Sequence, residues 1–220
     1  MLCVSRQLGL FCLMRRIVLL LLTCWLLLGG VALLCGCRHD GTVSILPADC
    51  RLQVGDVVFR RGGGVTSHAV LMAEKDGVYS HVGIVVDSAG VPMIVHAVPD
   101  EPDFEGDIDR VKLDRPEVFF KRSRASQGAV LRHGDSIVAR QAAAEALKVY
   151  RRHVAFDHDY DDSDTTRMYC TELVTHAFLR AGRPLQGISH HHLRFLDIET
   201  DCVLPSDILH CKDLQVITQF

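Results

Sequence analysis

The stretch that most restricts how this 220-residue chain can fold runs from Tyr79 to Val98. His81, Gly83 and Val85 alternate with Val82, Ile84 and Val86, a period of two that places the first set on one face of a β-strand and the second on the other. Asp87-Ser-Ala-Gly90 supplies a turn, and Val91 to Val98 is a second run rich in branched residues. The pattern predicts a hairpin. With all four turn residues in the loop, residue 86 pairs with 91, and the same register brings His81 opposite His96. Two imidazoles then share one face, with Cβ atoms ~4.5–5.5 Å apart. A loop of different length would stagger them.

The N-terminus has another character. Met14-Arg-Arg16 is followed by Ile17 to Leu34, a run of Leu, Val, Ile, Trp and small residues, the charge-then-apolar layout of a secretory signal. The run ends in Leu34-Cys35-Gly36-Cys37, which is similar to a bacterial lipobox with Cys37 as the lipidated residue. Residues 1–36 are therefore expected to be a signal peptide, with translation starting at Met1 or Met14. Residues 37–51 are expected to be a lipidated tether and residues 52–220 one folded domain. An uncleaved anchor is the competing reading, since a run of about 20 apolar residues spans a bilayer. Arg38 behind the lipidated cysteine favours the outer membrane of a Gram-negative cell envelope, with the domain facing the periplasm and the membrane as a partner through the lipid.

Charge and cysteine content narrow the classes. Residues 1–36 hold Arg6, Arg15 and Arg16 and no acid, which leaves 24 − 3 = 21 basic groups against 27 acidic ones in the rest, a net of −6. There is no basic stripe interleaved with aromatics, so nucleic acid is not an expected partner. Oligomeric state is not readable. Of nine cysteines, Cys3, Cys12, Cys24 and Cys35 would leave with the signal. Cys50, Cys170, Cys202 and Cys211 remain after Cys37; in an oxidising compartment Cys202 and Cys211 are the nearest couple, with Cys50 competing.

Along the domain, Leu52 to Arg60 reads as a turn at Gly55-Asp56 and then a strand. Gly62-Gly-Gly64 lacks the Lys-Ser/Thr that would make it a phosphate loop. Thr66 or Ser67 can cap a short helix to Lys75. Residues 99–130 are polar and broken by proline, with β-like pieces at Ile108 to Leu113 and Val118 to Lys121. Asp135 or Ser136 caps a helix to about Arg152, with Val138, Ala142, Ala146 and Val149 on one face. An acidic loop from Phe156 to Thr166 precedes a second main helix that ends near Arg180, with Gly182 as its stop. Leu214 to Phe220 closes the chain as a strand.

Cys170 lies in Tyr169-Cys-Thr-Glu-Leu-Val174, where Asp164, Thr165 or Thr166 caps the second helix and puts the thiol in its first turn or so. Unpaired amides and the positive dipole end favour a thiolate there. A nucleophilic cysteine needs an imidazole to hold its proton and a third group to orient that imidazole. His81 and His96 could fill both roles. Against this, Leu173, Val174 and Ala177 share a helical face with Cys170, and a free cysteine on such a stripe is usually core. The residue pattern leaves both readings open.

Val54-Gly-Asp-Val-Val-Phe59, Tyr79-Ser-His-Val-Gly-Ile-Val85, Ile94-Val-His-Ala97, Phe156-Asp157 with Tyr160, Tyr169-Cys-Thr-Glu-Leu-Val174 and Leu204-Pro-Ser-Asp207, in that order, resemble the permuted papain-like amidases of the YaeF/YiiX group, relatives of the NlpC/P60 superfamily. The histidine strand preceding the cysteine helix is the mark of the permutation. The resemblance covers residue 52 onward apart from 99–130. It implies a circularly permuted papain-like α+β fold, an antiparallel sheet packed against helices. It further implies Cys170 as nucleophile, His81 as general base and His96 as the residue that orients it, where several members carry an acid. The activity implied is thiol hydrolysis of an amide or ester, amidase- or peptidase-like, with no cofactor. An envelope location makes peptidoglycan peptides or lipid-linked acyl groups the natural substrates. A thiol acyltransferase and a non-catalytic binding lipoprotein are the alternatives. Glu172 is read as a structural hydrogen bonder, and Tyr160 or an amide near Cys170 as an oxyanion donor. His190-His-His192 is read as an exposed loop, since adjacent histidines on regular backbone do not face one ion.

Overall fold

The protein is described by a computed structural model covering residues 43–74, 77–195 and 198–220. The signal segment, Cys37 and the tether up to residue 42 lie outside the described residues. The hairpin that opens the sequence argument is present as β2 (His81–Ser88) and β3 (Val91–Val98). Its loop is shorter than expected. Ser88 pairs with Val91 and Ile84 with Val95, so only Ala89 and Gly90 turn the chain. Both have positive φ, 56° and 82°, as a two-residue turn matching the strand twist requires. The Asp87 carboxylate accepts from the Gly90 amide at 2.6 Å and takes the place of a backbone partner. The register is thereby shifted by two residues, not one, and the histidines stay on the same face as a diagonal pair.

Around this hairpin a sheet of eight strands forms, in the order β10-β5-β1-β2-β3-β4-β6-β7. The remaining members are β1 (Val57–Arg61), β4 (Arg110–Asp114), β5 (Gln127–His133), β6 (Ala155–Phe156), β7 (Arg167–Met168) and β10 (Leu214–Gln219). Neighbours are antiparallel except β6 and β7. The helices are α1 (Val65–Ala73), α2 (Pro116–Phe119), α3 (Ser136–Arg151), α4 (Cys170–Arg180) and α5 (Pro205–Leu209). A separate hairpin pairs β8 (His191–Phe195) with β9 (Ile198–Cys202).

The alternation of β2 sorts the core. Val82, Ile84 and Val86 pack with α3 and α4 through Val138, Ala142, Ala146, Leu173 and Val174. Val85 and Ile94, on the opposite face, pack with Val58, Phe119, Phe120 and Val130. Asp135 caps α3 through the Ile137 and Val138 amides, as expected.

Several expectations need correction. Helix α1 starts at Val65 behind Gly64, with no side-chain cap from Thr66 or Ser67. Residues 118–121 are not β: Pro116 at the first helical turn starts α2 instead. Strand β5 lay hidden in the stretch read as polar, since only Gly128 to Leu131 of it are buried. Residues 43–52 do not hang free. The Ser44 strand bridge to Lys121 and the packing of Ile45, Leu46 and Leu52 on the Phe119–Phe120 layer bind them to the domain. The histidines at 191 and 192 belong to a strand and pair with Asp207 and with Glu199 and Asp201. Cys50, Cys170, Cys202 and Cys211 are all free thiols.

Candidate active site

Helix α4 begins on Cys170 itself, later than a cap at residues 164–166 would give, so Cys170 is the first helical residue and Tyr169 the N-cap. Its two neighbours are pinned to one segment. The Tyr169 hydroxyl accepts from the Val203 amide at 3.2 Å, and Thr171 Oγ1 donates to the Val203 carbonyl at 2.7 Å. Glu172 Oε2 accepts from the Tyr169 amide at 3.3 Å, which confirms its expected structural part. Burial pushes the Glu172 carboxyl up to about 8.

The Cys170 sulfur meets the amides of Val82, Thr171 and its own residue, and these favour the thiolate. Burial outweighs them and pushes the thiol up to about 11, so the helix N-terminus does not yield a resting thiolate. The contact with the Val82 amide places the sulfur at the head of β2, beside His81. Cys170 and His81 line one cavity together.

From His81 a buried relay runs inward. Its Nε2 is 2.9 Å from His96 Nδ1, and His96 Nε2 is 3.2 Å from Asp114 Oδ2. Asp114 sits on β4 and is 7 % exposed. Burial alone would raise its carboxyl, but the hydrogen bond and charge of His96, helped by Lys112 and Arg124, hold it below the usual range. An ionised carboxylate only accepts. His96 therefore donates from Nε2 and accepts at Nδ1, and His81 donates from Nε2 and keeps a bare Nδ1. The tautomers follow from the order of partners. Burial, then the Arg60 and His96 charges, depress His81 well below its ordinary value, and burial lowers His96 too. Both rings are neutral at pH 7.

Glycine makes the diagonal possible. A Cβ on Gly83 would come within 2.8 Å of Ile94 Cγ2 and 3.1 Å of His96 Cβ. Phe119 completes the pocket, its ring 5.6 Å from that of His81 and 5.0 Å from that of His96. Arg60 is buried over the same ring, at 4.7 Å, and donates to the Phe119 carbonyl at 2.8 Å. Its charge is met by Glu101.

The structure thus assembles Cys170, His81 and His96, and adds Asp114, which the sequence reading missed. The β-like piece read at 108–113 stopped one residue short. Polar Lys112 and Asp114 alternating with Val111 and Leu113 were the available signal. Tyr160, held at φ 54°, faces both cavities that reach Cys170. Burial, then Cys170, pushes its hydroxyl up to about 12, so it stays a donor. Among the described residues, no group of three or more His, Cys, Asp or Glu side chains is placed to hold a metal ion. Nor is any helix among them long and apolar enough to cross a membrane.

Comparison with known proteins agrees with this geometry. The family described as "Permuted papain-like amidase enzyme, YaeF/YiiX, C92 family" matches residues 51–218. No curated protein matches the chain. The crystal structure of metalloprotein yiiX from Escherichia coli O157:H7 is similar in fold, with a TM-score of 0.60 at 17% identity, over 78% of this chain and 99% of that one.

Proposed function

Because the chain belongs to the permuted papain-like amidases of the YaeF/YiiX, C92 family, we propose that it is a thiol hydrolase of amides or esters in which Cys170 is the nucleophile, His81 the general base and His96 the group that orients it. The observation that carries this reading is the bare Nδ1 of His81 beside a buried thiol, held so by His96 and Asp114. With thiol and imidazole both neutral at rest, attack and proton transfer go together. Sγ forms a bond to the carbonyl carbon while its proton moves to His81 Nδ1. The imidazolium is stabilised through His96 by the Asp114 carboxylate. Collapse of the tetrahedral intermediate breaks the C–N or C–O bond, and the leaving group takes the proton from His81. Water, deprotonated by the same ring, releases the acid and the free thiol. The amides at the head of α4 and the Tyr160 hydroxyl are the nearby donors for the oxyanion.

The N-terminal segment supports an envelope lipoprotein: signal 1–36, lipid on Cys37, the membrane as partner. Metabolic labelling with a radioactive fatty acid checks this, since a Cys37→Ser chain that still takes label removes it.

Acetylation by p-nitrophenyl acetate tests the chemistry. The expected result is a p-nitrophenol burst with the acetyl group mapped to Cys170 by mass spectrometry, and a loss of about 10²–10⁴ in rate for His81→Ala. An acetyl group found elsewhere, or a His81→Ala rate equal to the parent, overturns it.

A further inference from the structure

Two chambers of opposite chemistry meet at Cys170. The smaller, about 290 Å³, is polar: Arg60, Ser80 and Arg124 line it, and Arg60 keeps a buried Nε–H without a partner. The larger, about 500 Å³, is walled by Ala69 and Val70 of α1 and by Leu193, Val203 and Leu204. Arg194 on its wall is already paired with Glu199 at 2.8 Å. A peptide bearing free carboxylates and amines would bury charge there without partners, which is costly.

The roof of this chamber is unusual. Helix α1, Val-Thr-Ser-His-Ala-Val-Leu-Met-Ala, has no charged side chain and none of its residues is buried. Val65 is 87% exposed and Met72 81%. A helix this apolar, lying over an apolar hollow, is missing the material that would cover its inner face.

We propose, resting on the thiol-hydrolase reading, that the substrate is an acyl amphiphile, its hydrocarbon chain in the larger chamber and its polar leaving group in the smaller. The scissile carbonyl then lies at Cys170, where the chambers join, and chain burial orients it. The volume falls in the range of sites for ligands of this size. Each methylene taken from water into such a space adds about fourfold in affinity.

Two measurements on the full-length protein separate this proposal from the reading beneath it. In the first, kcat/KM is followed for p-nitrophenyl acetate, butanoate, octanoate and dodecanoate below their micelle concentrations. In the second, binding of sodium octanoate and sodium dodecanoate to the Cys170→Ala variant is measured by calorimetry. The expected result is a rise of about fourfold per methylene that levels off once the chamber is full, tighter binding of dodecanoate than octanoate, and collapse of both gradients in Ala69→Trp. Hydrolysis of the acetate with no gain on longer chains overturns the acyl chamber and leaves the hydrolase standing. A gradient that survives Ala69→Trp in a folded variant, judged by circular dichroism, also overturns it, because the chain is then held elsewhere. Graded binding to Cys170→Ala with no turnover of any ester keeps the chamber and removes the hydrolase reading.

Discussion

Asp114 shows what one carboxylate contributes at a distance from the reacting atom. It touches neither thiol nor His81, yet its acceptor-only character sets both imidazole tautomers in turn. Asp114→Asn keeps the shape and discards the charge that would face the imidazolium. A hydrogen bond to a charged group is worth about 1.5–3 kcal/mol, so kcat is expected to fall roughly 10- to 100-fold with KM little changed. The pH profile separates this from mere loosening. Because His81 is depressed below 6.5, the parent's kcat/KM has its acid limb below that value. The thiol near 11 means no loss through pH 8 or 9. In Asp114→Asn the acid limb moves lower still; an unchanged limb would assign Asp114 to structure alone. The sequence contained His81 and His96 plainly, because alternation on a strand is a strong signal. Asp114 was not legible, since its importance comes from a cross-strand neighbour that only the register of β3 with β4 supplies.

At the scale of elements, the β2–β3 turn decides whether the histidines meet. Ala89 holds φ 56°, a conformation that costs an L-residue with a Cβ roughly 1–2 kcal/mol. Asparagine followed by glycine suits this turn, so Ala89→Asn is expected to raise stability by about 1 kcal/mol in urea unfolding, with activity unchanged. Lower stability would mean that the turn is set by something other than backbone preference. The same hairpin measures the reach of sequence reasoning. Its existence, its face and its pair of histidines were legible, and its loop length was not, since Asp87 and Ser88 suit a turn as well as a strand end. Helix α3 was legible to its cap because its alanine-and-valine stripe is long. Strand β5 was not, because Gln127, Arg132 and His133 at its ends mask a short buried centre.

For the whole molecule, the buried ionisable groups set a window of stability. His81 and His96 have folded values below 6.5, so their contribution is complete above 6.5 and is lost as the pH falls below it. Glu172 is raised to about 8, so its contribution is complete below about 4.5 and is lost as the pH rises through about 8. The unfolding midpoint is expected to fall away on the acid side of 6.5, and a His81→Gln variant to lose less there; equal acid loss in both proteins would exclude His81 as a source. A last consequence of the hairpin concerns the order in which the molecule is put together. His81 and His96 are separated by 15 residues and joined by a two-residue turn, a unit that closes in about 1–10 μs. Cys170 stands 170 − 81 = 89 positions from His81 and reaches it only when α4 docks, a long-range closure that is slower. The base and its support are thus assembled early, while the chain carries an inert thiol until the final packing step; catalysis becomes a report of completed folding.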